Sequence, residues 1–183
     1  MMTAMRKVLL EAATLQDAGE ISLIVNYAYR GQGAAPGWTS EIDILSGPRS
    51  DTAAIEQLIA AGTARVLVAR DDGTRSVVGC ICVEALDPTT WYFSMIAVDP
   101  KLQAQGLGKS VVAGAEDYAR ERGAVRARMT VIRIRRTLID WYQRQGYQPT
   151  GETEPFPYGD ASVGRPLRDD LEFVVLEKVL APA

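Results

Sequence analysis

Apolar residues in this chain recur with two different periods. Positions 15, 18, 21, 25 and 28 (Leu15, Ala18, Ile21, Val25, Ala28) carry the three-to-four spacing of one helical face. Thr14 precedes the run and Asp17 follows three residues after it, as in a capping box. A short apolar stretch over 7–11 predicts a strand before this helix, and the segment RGQGAAPGW (30–38) predicts a loop after it. Asp51 is placed to cap a second helix with Ala54, Ile55, Leu58 and Ile59 inward and Gly62 as its stop. Continuous apolar runs then occupy 65–69, 77–86 and 91–98, separated by DDGT (71–74) and DPTT (87–90), which is turn chemistry; the pattern predicts a β-meander. Pro100 ends the third run because it has no ladder donor. A helix to about Arg122 follows, with Val111, Val112, Ala115, Tyr118 and Ala119 on one face and Gly123 as its stop. A fifth strand over 125–132, a helix over 138–145 ended by Gly146, and a last strand over 171–179 complete the pattern. No linker, repeat or low-complexity tract interrupts it, so residues 1–183 read as one α+β domain: a single mixed, mostly antiparallel sheet flanked by helices.

Composition narrows the chemistry. The net charge of −3 gives no chain-wide positive field, so neither nucleic acid nor an anionic membrane is an expected partner. The one basic concentration, RARMTVIRIRR (126–136), fits a solvated strand-to-helix edge or a phosphate contact. Histidine is absent, which removes His general bases, Ser-His-Asp and Cys-His nucleophile systems and most zinc sites. Cys80 and Cys82 lie two apart in an apolar run, as buried, reduced same-face strand residues would. The basic start MMTAMRKVLLE has an apolar run too short for a signal peptide, and no other segment is long enough to span a bilayer. The expected location is the cytoplasm, and no metal is expected.

The chemistry concentrates in VDPKLQAQGLGKS (98–110). A nucleotide P-loop needs a glycine at position 103, where Gln103 stands. The dinucleotide pattern G-x-G-x-x-G fits Gly106 and Gly108 but meets Val111 in place of its third glycine. The pattern Q-x-x-G-x-G is met in full by Gln103, Gly106 and Gly108. Glycines let consecutive backbone N–H groups converge on an oxygen-rich anion, and the helix beginning nearby directs its positive end there.

This loop resembles the coenzyme loop of the GNAT superfamily, the acyl-CoA-dependent N-acetyltransferases. The segment IDWYQRQGYQP (139–149) is similar to the helix-to-strand piece that carries that superfamily's aromatic acid. The likeness extends over roughly 64–155, with weaker similarity in GWTSE (37–41) and TGETEPFPY (150–158). The resemblance implies acetyl-CoA as co-substrate. Its pantetheine arm would pair with the backbone of Ile96, Ala97 and Val98, and its pyrophosphate would rest on Gln103, Ala104, Gln105, Gly106, Leu107, Gly108, Lys109 and Ser110. Tyr142, four before Gly146, matches the general acid. The alternative implied by a retained cradle without turnover is an acyl-CoA-sensing domain.

One part of the pattern is missing. Many members of the superfamily carry a carboxylate on the fifth strand and an asparagine at the next helix start, where this chain has Thr130 and Arg135. Glu84, an acid in an otherwise apolar strand, is the candidate base, acting through water, with Tyr92 as an alternative relay. The DPTT turn would set Glu84 opposite Phe93. Trp38 and Glu41 in the early loop are the candidate acceptor residues, and acids there would suit a cationic amine. The expected partner is therefore a small-molecule or peptide amine, with a homodimer left open.

Overall fold

In a computed structural model, residues 8–31 and 40–182 are described, with the backbone alone at 103 and 104. A 3₁₀ turn at Leu15–Asp17 leads into α1 (Ala18–Arg30). The Asp17 carboxylate accepts from the Thr14 backbone N–H at 2.7 Å and its hydroxyl at 3.0 Å, which fixes where the helix starts. Ala18, Ile21, Val25 and Ala28 are fully buried, whereas Leu15 is exposed because it sits in the 3₁₀ turn before the helical phase is set. The Asp51 side chain accepts from Ala54 N–H at 2.7 Å and caps α2 (Thr52–Ala61).

The meander forms as expected: β3 (Arg65–Arg70), β4 (Val77–Ala85) and β5 (Thr90–Val98), each antiparallel to the next. The first strand is shorter and later than expected, β1 (Leu10–Ala12), paired to β3. After α3 (Leu107–Arg120) come β6 (Arg126–Ile132), α4 (Arg136–Arg144), β7 (Gln148–Pro155) and β9 (Glu172–Val179). A two-residue strand β2 (Leu45–Ser46) pairs with β8 (Arg165–Pro166) in a separate ribbon. Among the described residues the main sheet has seven strands in the order β1-β3-β4-β5-β6-β9-β7. The β5–β6 pair is parallel and every other pair is antiparallel.

Alternation along the strands divides the core between the two faces. Leu67, Ile81, Val83, Phe93, Ile96 and Val98 pack with Val111, Ala115 and Ala119 of α3. Val66, Val68, Cys80, Cys82, Met95 and Ala97 pack with Ile21, Val25 and Ala28 of α1. The alternation slips once, on β5. From Cys80 to Cys82 is two steps on β4, but their partners Ala97 and Ser94 are three steps apart on β5. The additional residue is absorbed by a bulge at Met95, whose φ of 51° is left-handed for a non-glycine residue. Between the turn and the bulge the register is set by the turn: Ala85 pairs with Trp91, so Glu84 faces Tyr92 and not Phe93.

One buried carboxylate ties α3 to the sheet edge. Glu116 is 3% exposed and accepts from Lys178 of β9 at 2.8 and 2.9 Å and from the Tyr147 hydroxyl at 3.0 Å. Glu116→Ala should therefore strand a partly buried ammonium and a buried hydroxyl. A loss of about 3 kcal/mol is expected, the low end for breaking a buried pair, since Lys178 still reaches water. Urea unfolding monitored by tryptophan fluorescence measures it, with Glu116→Gln expected to lose less.

Candidate active site

The sheet opens at its parallel pair. β5 and β6 are in register only at Thr90↔Arg126, Trp91↔Ala127 and Tyr92↔Arg128; beyond that the strands have no ladder between them. A cavity of about 190 Å³ occupies the parting, walled by Tyr92–Ile96 on one side and Met129–Ile132 on the other. Tyr29 of α1, Glu41, Arg49, Arg135, and Leu138 and Tyr142 of α4 close its ends, with Phe156 and Phe173 stacked 5.6 Å apart behind them. Tyr92 bridges the start of the gap through its hydroxyl to Thr130 Oγ1 at 2.8 Å. Tyr29 crosses from the other face and donates to the Ile96 carbonyl at 2.9 Å, at the bulge.

Three phenols of this cleft are held neutral. Burial raises Tyr29 and, well above the usual tyrosine value, Tyr142; it also raises Tyr92, against the lowering by its bond to Thr130. Tyr142 is 4% exposed and meets Trp141 and Tyr147 edge-on at 5.1 and 5.9 Å. Burial pushes the Cys80 thiol up to about 12 and raises Cys82, and neither lines the cavity, so no thiolate nucleophile is available there.

Charge enters the cleft from three elements. Glu41 is 8% exposed and its carboxylate is shared: Oε2 accepts from Arg30 at 2.7 Å and Oε1 from Arg135 at 3.3 Å. It lines the cavity as a substrate residue would, but two guanidinium groups already answer its charge. Arg49 stacks over the Tyr29 ring at 5.4 Å, and among the described residues no carboxylate lies within ion-pair distance of it. Trp38 lies outside the described residues. Glu84 is partly exposed and is not among the cavity-lining residues; it stands across β4 from Tyr92.

The glycine turn lies beside this cleft. A 3₁₀ segment Pro100–Gln105 follows β5, and Gly106, at φ 74°, is the N-cap of α3. A Cβ built there meets nothing within 4 Å, so the position demands a left-handed backbone and faces open space. α3 thus directs the positive end of its first turn beside the end of β5, with Ser110 buried behind it, its N–H bonded to the Gly106 carbonyl at 3.1 Å, and Lys109 exposed. Side chains at 103 and 104 are outside the described set.

The acetyltransferase (GNAT) family model matches residues 38–147. The chain belongs to the GNAT acetyltransferase family. No curated protein matches its sequence significantly. Its fold is similar to a putative acetyltransferase of the GNAT family from Desulfovibrio desulfuricans (TM-score 0.68, 18% identity, 95% of this chain and 99% of that one). It is also similar to the ribosomal-protein-S18-alanine N-acetyltransferase of Escherichia coli (TM-score 0.63, 16% identity, 95% and 94%). A GNAT family acetyltransferase of Elizabethkingia anophelis with acetyl-CoA bound aligns at TM-score 0.59 and 15% identity, over 95% and 99%.

In this GNAT protein, sequence reasoning located Tyr142, Glu41 and Ile96 on the cavity wall and the glycine turn beside it. It did not single out Tyr29, Arg30 and Arg49, and it noted Arg135 only as a departure at the start of α4. Of the first three only Tyr29 left a usable sign, since it follows Val25 by four on a buried helical face.

The raised tyrosines have a pH consequence. A phenol whose folded pKa is raised contributes its stability fully below the unfolded value near ~10, and that contribution is lost as pH rises through the folded value. Stability should therefore fall steeply above about pH 10. Tyr29, Tyr142 and Tyr147 should ionise only together with unfolding. Phenolate absorbance followed alongside circular dichroism tests this; ionisation of these three in an intact fold would contradict it.

Proposed function

We propose that this GNAT protein is an N-acetyltransferase that moves an acetyl group from acetyl-CoA to a primary amine of a small molecule or peptide, by direct attack in a ternary complex. The observation that carries the reading is the parting of β5 from β6 directly before a glycine-capped helix. An open strand edge over Ile96, Ala97 and Val98 fits an extended amide-bearing arm as a further strand. The turn over Gln103, Ala104, Gln105, Gly106, Leu107, Gly108, Lys109 and Ser110 fits a pyrophosphate at a helix N-terminus.

In the proposed step, the lone pair of a neutral amine attacks the thioester carbonyl carbon. A backbone N–H at Ile96–Val98 stabilises the oxyanion, the C–S bond breaks, and Tyr142 gives its hydroxyl proton to the departing thiolate. Burial keeps Tyr142 protonated and so always able to donate. The same dry cleft raises the thiol's own pKa, which narrows the uphill gap that desolvation of the phenol opens. The attacking amine releases one proton. Glu84, across from Tyr92, receives it through water, because Glu84 itself does not reach the cavity. Thr130 and Arg135, where a carboxylate and an asparagine are common, lend weight to a second reading, an acyl-CoA-binding domain without turnover.

A thermal-shift panel with acetyl-CoA, CoA, ATP and NAD decides between these classes. A ligand at 100 times its Kd adds roughly 2.7 kcal/mol, so acetyl-CoA and CoA should raise Tm clearly while ATP and NAD do not. Gly106→Val should cost acetyl-CoA affinity at least about tenfold while lowering fold stability only by about 1–2 kcal/mol, the strain of a left-handed β-branched residue. Unchanged affinity in a folded variant would reduce the loop to a plain turn.

Tyr142→Phe keeps the ring and its edge-on contacts with Trp141 and Tyr147, so Tm should change little. Loss of the general acid should lower kcat by about 10²–10⁴-fold with acetyl-CoA affinity nearly unchanged. Steady-state thiol release with a working acceptor measures it. A rate within about twofold of wild type, with chemistry rate-limiting, would mean that the proton comes from elsewhere.

A further inference from the structure

The acceptor end of the cleft carries the opposite charge from the one its loop sequence suggests. Among the described residues, the ionisable groups lining the cavity, apart from the neutral tyrosines, are one carboxylate, Glu41, and two guanidinium groups, Arg49 and Arg135. Arg30 stands directly behind Glu41 and bonds it at 2.7 Å. With Arg30 included, the balance is three positive charges against one negative. Glu84 and Glu154 do not line the cavity, and Glu154 acts on it only from behind the Tyr92 wall, where its charge adds to burial in raising the Tyr92 pKa. A cationic acceptor such as a polyamine would enter against this field, in a partly dry site where the repulsion is weakly screened.

Arg49 is the group that this arrangement leaves available. Its guanidinium is part of the wall, stacked on Tyr29, and no acid among the described residues neutralises it. Its backbone is fixed independently of the side chain: Asn26 Oδ1 accepts from Arg49 N–H at 2.7 Å, and Asn26 Nδ2 donates to the Ser50 carbonyl at 2.8 Å. The helix that carries Tyr29 thus also holds Arg49 in place. Among the described side chains of 99–110 none lines this cavity, so the proposed pyrophosphate cradle lies beside it and Arg49 belongs to the acceptor end.

We infer that the acceptor is a small primary amine that itself carries an oxyanion, a carboxylate or a phosphonate-type group, bound in fork geometry by Arg49 beside Arg135. This inference rests on the acetyl-transfer reading and narrows its substrate class. The cavity of about 190 Å³ is below the ~300–1,000 Å³ typical of sites for drug-sized ligands, which favours an amino-acid-sized acceptor over a peptide segment. The oxyanion would anchor one end of the acceptor so that its amine points along the parting toward Ile96 and Tyr142.

The test measures thiol release at saturating acetyl-CoA. The acceptors are L-amino acids, ω-amino carboxylates and aminoalkyl phosphonates, each beside its neutral amide or ester, with spermidine as the cationic probe. The oxyanion-bearing acceptors should exceed their neutral counterparts by about tenfold or more in kcat/KM. The arm that is used best identifies the oxyanion. Arg49→Gln should abolish that preference mainly through KM, with acetyl-CoA affinity and Tm retained; Arg49→Lys should keep part of it. Thermal shifts in the presence of CoA give a reading apart from turnover: the preferred acceptor should stabilise the wild type and not Arg49→Gln. Equal or better use of neutral amides or spermidine, or a preference untouched in Arg49→Gln, would overturn the inference while leaving acetyl transfer standing. Stabilisation by acetyl-CoA with no thiol release from any acceptor, or no acetyl-CoA binding at all, would overturn both.

Discussion

The structure depends on two neighbouring strands ceasing to pair. β5 and β6 run parallel for three residue pairs and then separate, although both continue for several more residues. Separating strands expose backbone donors and acceptors that must find other partners. β4 satisfies one edge of β5 on both sides of the bulge, and Tyr29 takes the Ile96 carbonyl beside it. The bulge itself holds Met95 in a left-handed conformation that costs on the order of 1–3 kcal/mol. That strain sits where a central strand also has an open edge, the geometry that the proposed extended ligand would use.

Desolvation and charge act together in the resulting gap. The cleft raises the pKa of three tyrosines, so they stay neutral and, among the described residues, its net charge comes from arginine and Glu41. Glu41 illustrates how little a residue type says without its neighbours. As a loop acid it suggests attraction for a cation, yet Arg30 from α1 and Arg135 from the start of α4 converge on its two oxygens. Removing a carboxylate from between two buried guanidinium groups would leave them uncompensated, so Glu41 works as the anchor of the arginine cluster.

Much of the fold was legible because it is written in periodicity. The meander, α1 to α4 and β9 all follow from apolar spacing, and Asp51 and Gly146 mark ends that the structure keeps. β7 was not legible. Its sequence QPTGETEP has two prolines and every residue exposed, so no face of it is apolar and only β9 makes it a strand. The β2–β8 ribbon is too short to carry a period. The bulge was equally invisible, because one inserted residue in a run that is apolar on both faces leaves no gap in the pattern. The expected register at Glu84 is one residue off for a separate reason: Ala85 pairs with Trp91, so Leu86 as well as DPTT lies between that pair. In the site, the glycine turn and Tyr142 were readable as contiguous segments, whereas the arginine cluster is assembled from α1, the 41–49 region and the β6–α4 junction, which no local window contains.

That contrast has a structural logic. The proposed coenzyme end, 96–110, is one continuous strand–turn–helix and lies wholly within the family match over 38–147. The opposite end of the cleft is built from separated pieces, and Tyr29, Arg30, Phe156 and Phe173 fall outside that match. A contiguous backbone motif can hold one chemical group unchanged while the side chains facing it are replaced piece by piece. The two ends still meet at one hydrogen bond, Tyr29 to the Ile96 carbonyl, so a shift of α1 also reaches the strand edge at which the acyl group would be presented on the proposed reading. On the proposed reading, acceptor choice and acyl presentation would be coupled through a single hydroxyl, that of Tyr29.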